Sequence, residues 1–421
     1  MTQGVLGGVR VLEVAMYAFG PAAGAVLADW GADVIKVEHP ETGDPLRGLA
    51  AYGVAPGEGG VSYLWEVLNR GKRSVGIDIA HPDGRELLLS LCEQADVFVT
   101  NFLAPARKRL MIDVEDVLAR NPRIIYARGT GHGPKGPDAD KGGYDGVSFW
   151  ARSGVSIAAM PPDARYPIGL PGPAYGDIQS GVHMAGGIAA ALFQRERTGK
   201  GAVVDVSLLG SGLWAMQPAI AGAHASGQER LAPLDRSRPP NPLWNVYRTG
   251  DHKFVTLSML DADRYWPGFC AAVGRSDLVE DERFADNDAR SVNIAECVAL
   301  VDQIFAQHTL AECARMLDAQ DGPWSVTQTP GAVLADAQAV ANDYLQWVRY
   351  ENGATLPLVH APAQIDEQSA TLRAAPAHAA DTDGVLTAAG LSWEEIVGLM
   401  DADQPAQKRG PYKKRQPEIS N

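Results

Sequence analysis

Apolar residues along the first 210 positions come in short runs, separated by turns and by stretches with helical spacing. VRVLEVA (9–15) reads as an apolar strand, followed by a Gly/Pro turn and the helical AAGAVLADWG. ADVIKVEHP (32–40) reads as a second strand, ending where Pro40 withholds a ladder donor. RSVGIDI (73–79), ADVFVTNF (95–102) and RIIYARGTG (123–131) continue the series, and HPDGRELLLSLCEQA is a helix opened by Pro82 and Asp83. Strands alternating with helices imply right-handed crossovers and a largely parallel sheet. Ligands of such sheets sit in the loops beyond the carboxyl ends of the strands.

The texture changes near residue 225. A Pro- and Arg-rich stretch leads into a hairpin-like pair, NVYRT and KFVTLSM, joined by a turn at Gly250–Asp251. Helical stretches follow to about 340, among them IAECVALVDQIFAQH, and the segment 345–366 alternates as strands do. LSWEEIVGLM (391–400) carries a Ser392 N-cap with Glu394 and Glu395 in the first turn. The expected organisation is the N-terminal part of a large α/β domain (1–222), a smaller domain (223–345), a return to the large one (346–402), and a basic tail expected to be disordered (403–421).

Composition narrows the function classes. Of 421 residues, 46% are hydrophobic and 21% charged, as in a globular protein, and no apolar run approaches the roughly 20 residues of a membrane span. The N-terminus shows no basic region followed by a cleavage pattern, so no signal peptide is expected. Lys and Arg total 37 against 51 Asp and Glu, a formal charge of −14, which argues against nucleic acid as a partner. Cys92, Cys270, Cys297 and Cys313 fit no CxxC pattern and are expected as reduced, mostly buried thiols of a cytoplasmic protein. No phosphate loop, nucleophile elbow or HExxH is present, and the glycines of Gly129-Thr-Gly131-His-Gly133 lack the context of a dinucleotide fingerprint.

The stretch AYGDIQSGVHMAGGIAAALF (174–193) places Asp177 between Gly176 and Gly181 at the entry to a small-residue helix. Asp177 admits two readings from composition. It is a helix N-cap, or it is a carboxylate kept ionised by the helix dipole and available as general base or nucleophile, with the glycines clearing backbone for a ligand. His183 falls about 240° around that helix from Asp177, off its face, and reads as a core histidine. His132 reads as a solvated loop residue with a lesser claim as a base.

Seven blocks, in order, carry a resemblance: LEVAMYAFGPAAGAVLADWGADVIKVEHPETGDPLRG, LNRGKRSVGIDI, ADVFVTNFLAPARKRL, NPRIIYARGTGHG, GGYDGVSFWARSG, YGDIQSGVHMAGGIAAALFQRERTGKGAVVDVSL and NPLWNVYRTGD. Over roughly 5–400 the chain resembles the family III CoA-transferases, which include formyl-CoA and carnitine-CoA transferases and, as cousins, α-methylacyl-CoA racemases. The resemblance implies a Rossmann-like large domain with a mostly parallel sheet, a smaller α+β domain, and two chains interlocked as a homodimer. It implies a cytoplasmic enzyme that takes an acyl-CoA and a small carboxylic acid, with no metal, nicotinamide or flavin and no membrane partner.

Residue by residue, the resemblance makes Asp177 the nucleophile that passes through an acyl–aspartyl anhydride and an aspartyl-CoA thioester. It puts Tyr17, Ala18 and Phe19 at the thiol end of CoA, Asn101, Phe102 and Arg109 on the nucleotide, and His39 and Ile77 at further nucleotide positions. Tyr144 and Asp145 fall near the acyl end. His39 and Ala80 stand where relatives carry Arg and Lys, so Arg47 and Lys72 are candidates to compensate, or else surface charges. Racemising relatives use His where Tyr144 stands, and a Tyr of pKa near 10 replaces imidazole poorly, which favours transfer. A racemase and a non-catalytic CoA-binding protein remain as alternatives. No run of glycines like that covering the nucleophile in formyl-CoA relatives occurs between 225 and 260, so the oxalate/formate pair is not expected.

Overall fold

The computed structural model describes residues 4–52 and 60–400. Six strands, β1 (Arg10–Val14), β2 (Asp33–Glu38), β3 (Arg73–Gly76), β4 (Val97–Thr100), β5 (Ile125–Thr130) and β6 (Ala202–Ser207), form one wholly parallel sheet in the order β3-β2-β1-β4-β5-β6. The order reverses beside β1, whose two neighbours are β2 and β4, and a crevice opens there at the carboxyl ends of the strands. Crossovers run through α1 (Phe19–Asp29), α2 (Tyr63–Asn69), α3 (Pro82–Glu93), α4 (Ala104–Leu110), α5 (Val114–Arg120), the single turn α6 (Val155–Ala158) and the long α7 (Tyr175–Thr198).

Alternate strand residues serve opposite faces of the sheet. Leu12, Val14, Ile35, Val37, Phe98 and Tyr126 pack with Leu88 of α3 and Val117 of α5. Val11, Val34, Val97, Val99 and Ile125 pack with Ala23, Val26 and Leu27 of α1 and with Met184 and Ile188 of α7. Burial on both faces explains why the central strands read as near-continuous apolar runs. β6 differs: its AVVDVS is half-buried or exposed throughout at the sheet edge, so its sequence announces no buried strand. The third strand, expected to reach residue 79, stops at Gly76.

Contacts divide the chain into two units, one comprising residues up to Leu231 and from Ala341 on, the other Ala232–Val340. The first unit continues after β6 with α8 (Leu208–Ala215) and α9 (Gln217–Ser226). The second holds β7 (Trp244–Arg248) and β8 (Phe254–Ser258), an antiparallel hairpin, with a third short strand, β9 (Trp324–Val326), that the helical reading of that stretch did not include. Its helices α10 (Ala262–Ala272), α11 (Asn287–Val292), α12 (Ile294–Ala306) and α13 (Leu310–Leu317) close a separate core around Tyr247, Trp266, Phe269 and Phe305. After α14 (Ala337–Ala341), the returning chain forms the antiparallel pair β10 (Leu345–Arg349) and β11 (Thr355–Val359).

The return then protects the open edge of β3. The Ser74 N–H donates to the Asp381 carboxylate at 2.8 Å, the Gly76 N–H donates to the Thr382 hydroxyl at 3.1 Å, and the Asp381 N–H donates back to the Ser74 carbonyl. Helices α15 (Thr382–Ala388) and α16 (Trp393–Met400) follow, the latter capped by Ser392, whose N–H and hydroxyl both bond Glu395. All four cysteines are buried and free. Among the described residues no helix is long and apolar enough to cross a membrane. The basic tail (403–421) lies outside the described residues.

Candidate active site

The loop after β1 is the first wall of the site. Tyr17 holds a left-handed backbone at φ 60°, a conformation that a residue bearing a Cβ adopts only when its surroundings impose it. Asn101, just past β4, imposes part of it. Its side-chain amide donates to the Met16 carbonyl at 2.6 Å and accepts the Met16 N–H at 3.0 Å, tying the β1 and β4 ends together. A cavity of about 380 Å³ opens in this crevice, lined by Met16–Phe19, by Asn101, Phe102, Leu103, Ala106, Arg109 and Leu110, by Gly129–Gly131, by Gly142–Tyr144, and by Leu208 and Asp177.

Asp177 reaches the cavity from the first turn of α7. The helix starts at Tyr175, and its N-cap is Ala174, at φ 58° and with no side-chain cap. Asp177 is therefore neither the N-cap nor ahead of the helix, but its third residue. The two flanking glycines do not open backbone to a ligand. A Cβ on Gly176 would lie 2.3 Å from Phe149 Cγ, and one on Gly181 would lie 2.5 Å from Ala22 Cβ, so both are spaces for packing.

The electrostatics differ from the expectation as well. Burial raises the Asp177 pKa to about 7, and the nearby Asp145 carboxylate adds to the rise. The helix dipole opposes both and is outweighed. Asp145 opens a π-helical turn, Asp145–Ala151, is itself buried, and accepts the Gly176 N–H at 3.0 Å. Its own pKa is also raised by burial, against the backbone N–H groups of Gly176 and Asp177 that favour its charged form. Two carboxyl groups thus share one desolvated corner, where ionising both at once is costly.

Of the residues singled out from the sequence, Tyr17, Ala18, Phe19, Asn101, Phe102, Arg109, Tyr144 and Asp177 meet at this cavity. Tyr17 and Tyr144 stand edge to face with ring centres 5.8 Å apart. Arg109, in the last turn of α4, is exposed and forms no ion pair or hydrogen bond among the described residues, so its guanidinium is open to an anion.

Three other assignments need correction. Ile77 is 1% exposed inside the core, so its side chain meets no ligand. Arg47 is spent on a two-pronged bond to Glu38 at 2.8 and 2.7 Å and stacks on the Trp65 ring. Lys72 is neither a phosphate ligand nor a surface charge, because it is buried against Glu13 at 2.7 Å. His39 is exposed outside the cavity lining, its Nδ1 accepting the N–H groups of Glu41 and Thr42. His183 bonds Ser211 at 3.0 Å and His132 faces Arg152, and neither lines the cavity. The wall residues missed from sequence, such as Gly142, Gly143 and Leu208, follow a strand end or return to one. Gly131 and Gly143 pass so closely that a Cβ on either would lie 2.6 Å from the other's Cα, which brings the far end of that loop back to the cavity.

Sequence comparison identifies the lineage of this crevice and its carboxylate. Residues 6–382 match the profile of CoA-transferase family III. The chain belongs to that family. It is 33% identical over 394 residues to the cinnamoyl-CoA:phenyllactate CoA-transferase of Clostridium sporogenes, covering 93% of this chain and 95% of that one. Identity to the (R)-2-hydroxy-4-methylpentanoate CoA-transferase of Clostridioides difficile is 31% over 399 residues, 94% of this chain and 98% of that one. Among solved structures, a CaiB/BaiF family protein from Brucella suis superposes with a TM-score of 0.79 at 28% identity, over 92% of this chain and 100% of that one. Both named relatives are CoA-transferases, enzymes that use CoA thioesters. Among the described residues no group of His, Cys, Asp and Glu is arranged to hold a metal.

Proposed function

We propose that this family III member moves CoA from an acyl-CoA donor to a carboxylic acid, with Asp177 as the nucleophile. The supporting observation is a carboxylate held at the cavity wall and desolvated, whose pKa no cation among the described residues pulls down. A carboxylate oxygen of Asp177 attacks the thioester carbonyl, the C–S bond breaks, and CoA leaves as thiolate. The thiolate attacks the aspartyl carbonyl of the mixed anhydride and releases the donor acid, leaving an aspartyl-CoA thioester. The acceptor carboxylate then attacks that thioester, CoA departs again, and its sulfur takes the acyl group from the second anhydride. Each covalent step preserves the thioester's free energy.

In this reading Tyr17, Ala18 and Phe19 line the thiol end of CoA, and Phe102 and Arg109 hold its nucleotide, the guanidinium pairing with phosphate oxygens. The backbone N–H groups of the glycine-rich loops are the candidate oxyanion donors. Apolar walls at Met16, Phe19, Leu103, Leu110 and Leu208 exclude the water that would hydrolyse an anhydride. The acids in the names of the two relatives have bulky apolar bodies, two of them with a 2-hydroxyl, and acids of this class are proposed here. A cytoplasmic homodimer is part of the proposal.

Incubation with acyl-CoA and hydroxylamine should convert Asp177 to a hydroxamate, detected by peptide mass spectrometry, and Asp177→Ala should abolish both trapping and transfer. A trap-negative protein that exchanges the substrate α-proton in heavy water, with no transfer to any acid, would instead be a racemase.

A further inference from the structure

The turn that carries Tyr17 rests on a set of charges that the chemistry above does not use. Glu13 on β1, Lys36 on β2, Lys72 before β3 and Asp44 are all buried within the first unit. Lys36 lies 3.1 Å from Glu13 and 2.8 Å from Asp44, and Lys72 lies 2.7 Å from Glu13. Glu38 and Arg47 extend the cluster, so three acids face three bases.

Replacing buried ion pairs by apolar side chains of similar volume is commonly neutral or stabilising, so packing alone does not account for such a cluster. Its members do grip the turn. Lys36 Nζ donates to the Ala15 carbonyl at 2.9 Å, Lys72 Nζ donates to the Pro21 carbonyl at 2.8 Å, and Asp44 Oδ1 accepts the Tyr17 N–H at 3.1 Å. α1 starts at Phe19 with no side-chain cap, which leaves these bonds and the Asn101 clamp to shape the entry.

Asp44 is the member that touches the strained residue. Its Oδ1 also accepts the Leu46 N–H at 2.9 Å, its Oδ2 lies 2.8 Å from Lys36 Nζ, and its backbone N–H donates to Glu38 Oε2 at 2.9 Å, so backbone and carboxylate are both held. Tyr17 in turn stands edge-on to Tyr144, and both line the cavity with Asp177. We infer that Asp44 is a positioning residue for the transfer reaction: anchored in the buried cluster, it holds Tyr17 left-handed so that the turn faces Asp177 in the shape the thioester requires. The inference rests on the proposed role of Asp177.

The test uses the full chain with Asp44→Asn, which keeps volume and acceptor but removes the charge, and Asp44→Ala, which removes both. Misplacement of groups around a reacting centre acts on turnover rather than on binding. D44N should lower kcat about tenfold and D44A about 100-fold, with KM for acyl-CoA moving less than about threefold. Amide exchange of the peptide containing Tyr17 should accelerate in D44A, a readout that needs no activity. Wild-type kcat in both folded variants, unchanged exchange, or loss of the cooperative melting transition in both would overturn the inference. If the wild type and D177A alike transfer no CoA, the functional reading fails while the exchange readout still judges the hold on Tyr17.

Discussion

At the scale of single residues, the pair Asp145 and Asp177 decides how the site responds to pH. A nucleophilic Asp177 must be ionised, and a pKa near 7 makes that fraction grow as pH rises from about 6 to about 8. kcat/KM should therefore climb through an ascending limb near pH 7. Asp145→Asn removes the like charge but not the burial, which is the larger cause, so the limb should move to lower pH without reaching the ordinary carboxylate range. A pH–rate profile of both proteins checks this, and an unmoved limb would deny the coupling. The residues alone singled out Asp177 as either a helix cap or a reactive acid, and the nucleophile's role came from the resemblance. Its raised pKa was not legible, because Asp145 stands about 30 positions upstream and the burial comes from segments more distant still, such as the turn after β1. Arg47 and Lys72 misled for the same reason: a sequence shows their charge but hides Glu38 and Glu13, which neutralise it.

At the scale of elements, the placement of Asp177 depends on how closely α7 lies on α1. Gly181 meets Ala22 and the Ala23 backbone with no room for a methyl group. Gly181→Ala should destabilise the protein by about 1–3 kcal/mol through overpacking, read as a lowered melting temperature. It should also reduce activity, because the first turn of α7 would shift with its axis. The four inner strands were legible because burial on both faces writes itself as runs of Val, Ile and Leu, and β3, at one edge, was legible but read three residues too long. β6 was not, since an edge strand with one half-exposed face carries half the signal and follows directly on a long helix. Reading Asp177 as the cap misplaces the start of α7 by three residues, because neither Ala174 nor Tyr175 announces a cap.

At the scale of the whole molecule, charge is carried in two ways: a net −14 spread over the chain, and a neutral cluster sealed inside it. Glu38 shows what the sealed charges do for stability. Burial alone would raise its pKa, but Arg47, Lys36 and the Ser74 hydroxyl pull it to about 2. The folded value lies below the unfolded one, so the contribution is complete above about pH 4.5 and is lost as pH falls towards 2, about 3 kcal/mol in all. Acid titration followed by circular dichroism should show Glu38→Gln less stable at neutral pH and less sensitive to acid across that window. Gly24 of α1 gives the same cluster a historical consequence. A Cβ there would sit 1.9 Å from Glu13 Oε2 and 2.9 Å from Lys72 Cε, so helix, strand and the segment before β3 share one notch. No member of that trio can drift alone: a methyl at 24 collides with the ion pair, and an apolar residue at 13 or 72 strands a buried charge. A side chain at 24 therefore requires 13 and 72 to change with it, so single-site libraries should find these positions frozen where a three-site library finds apolar solutions.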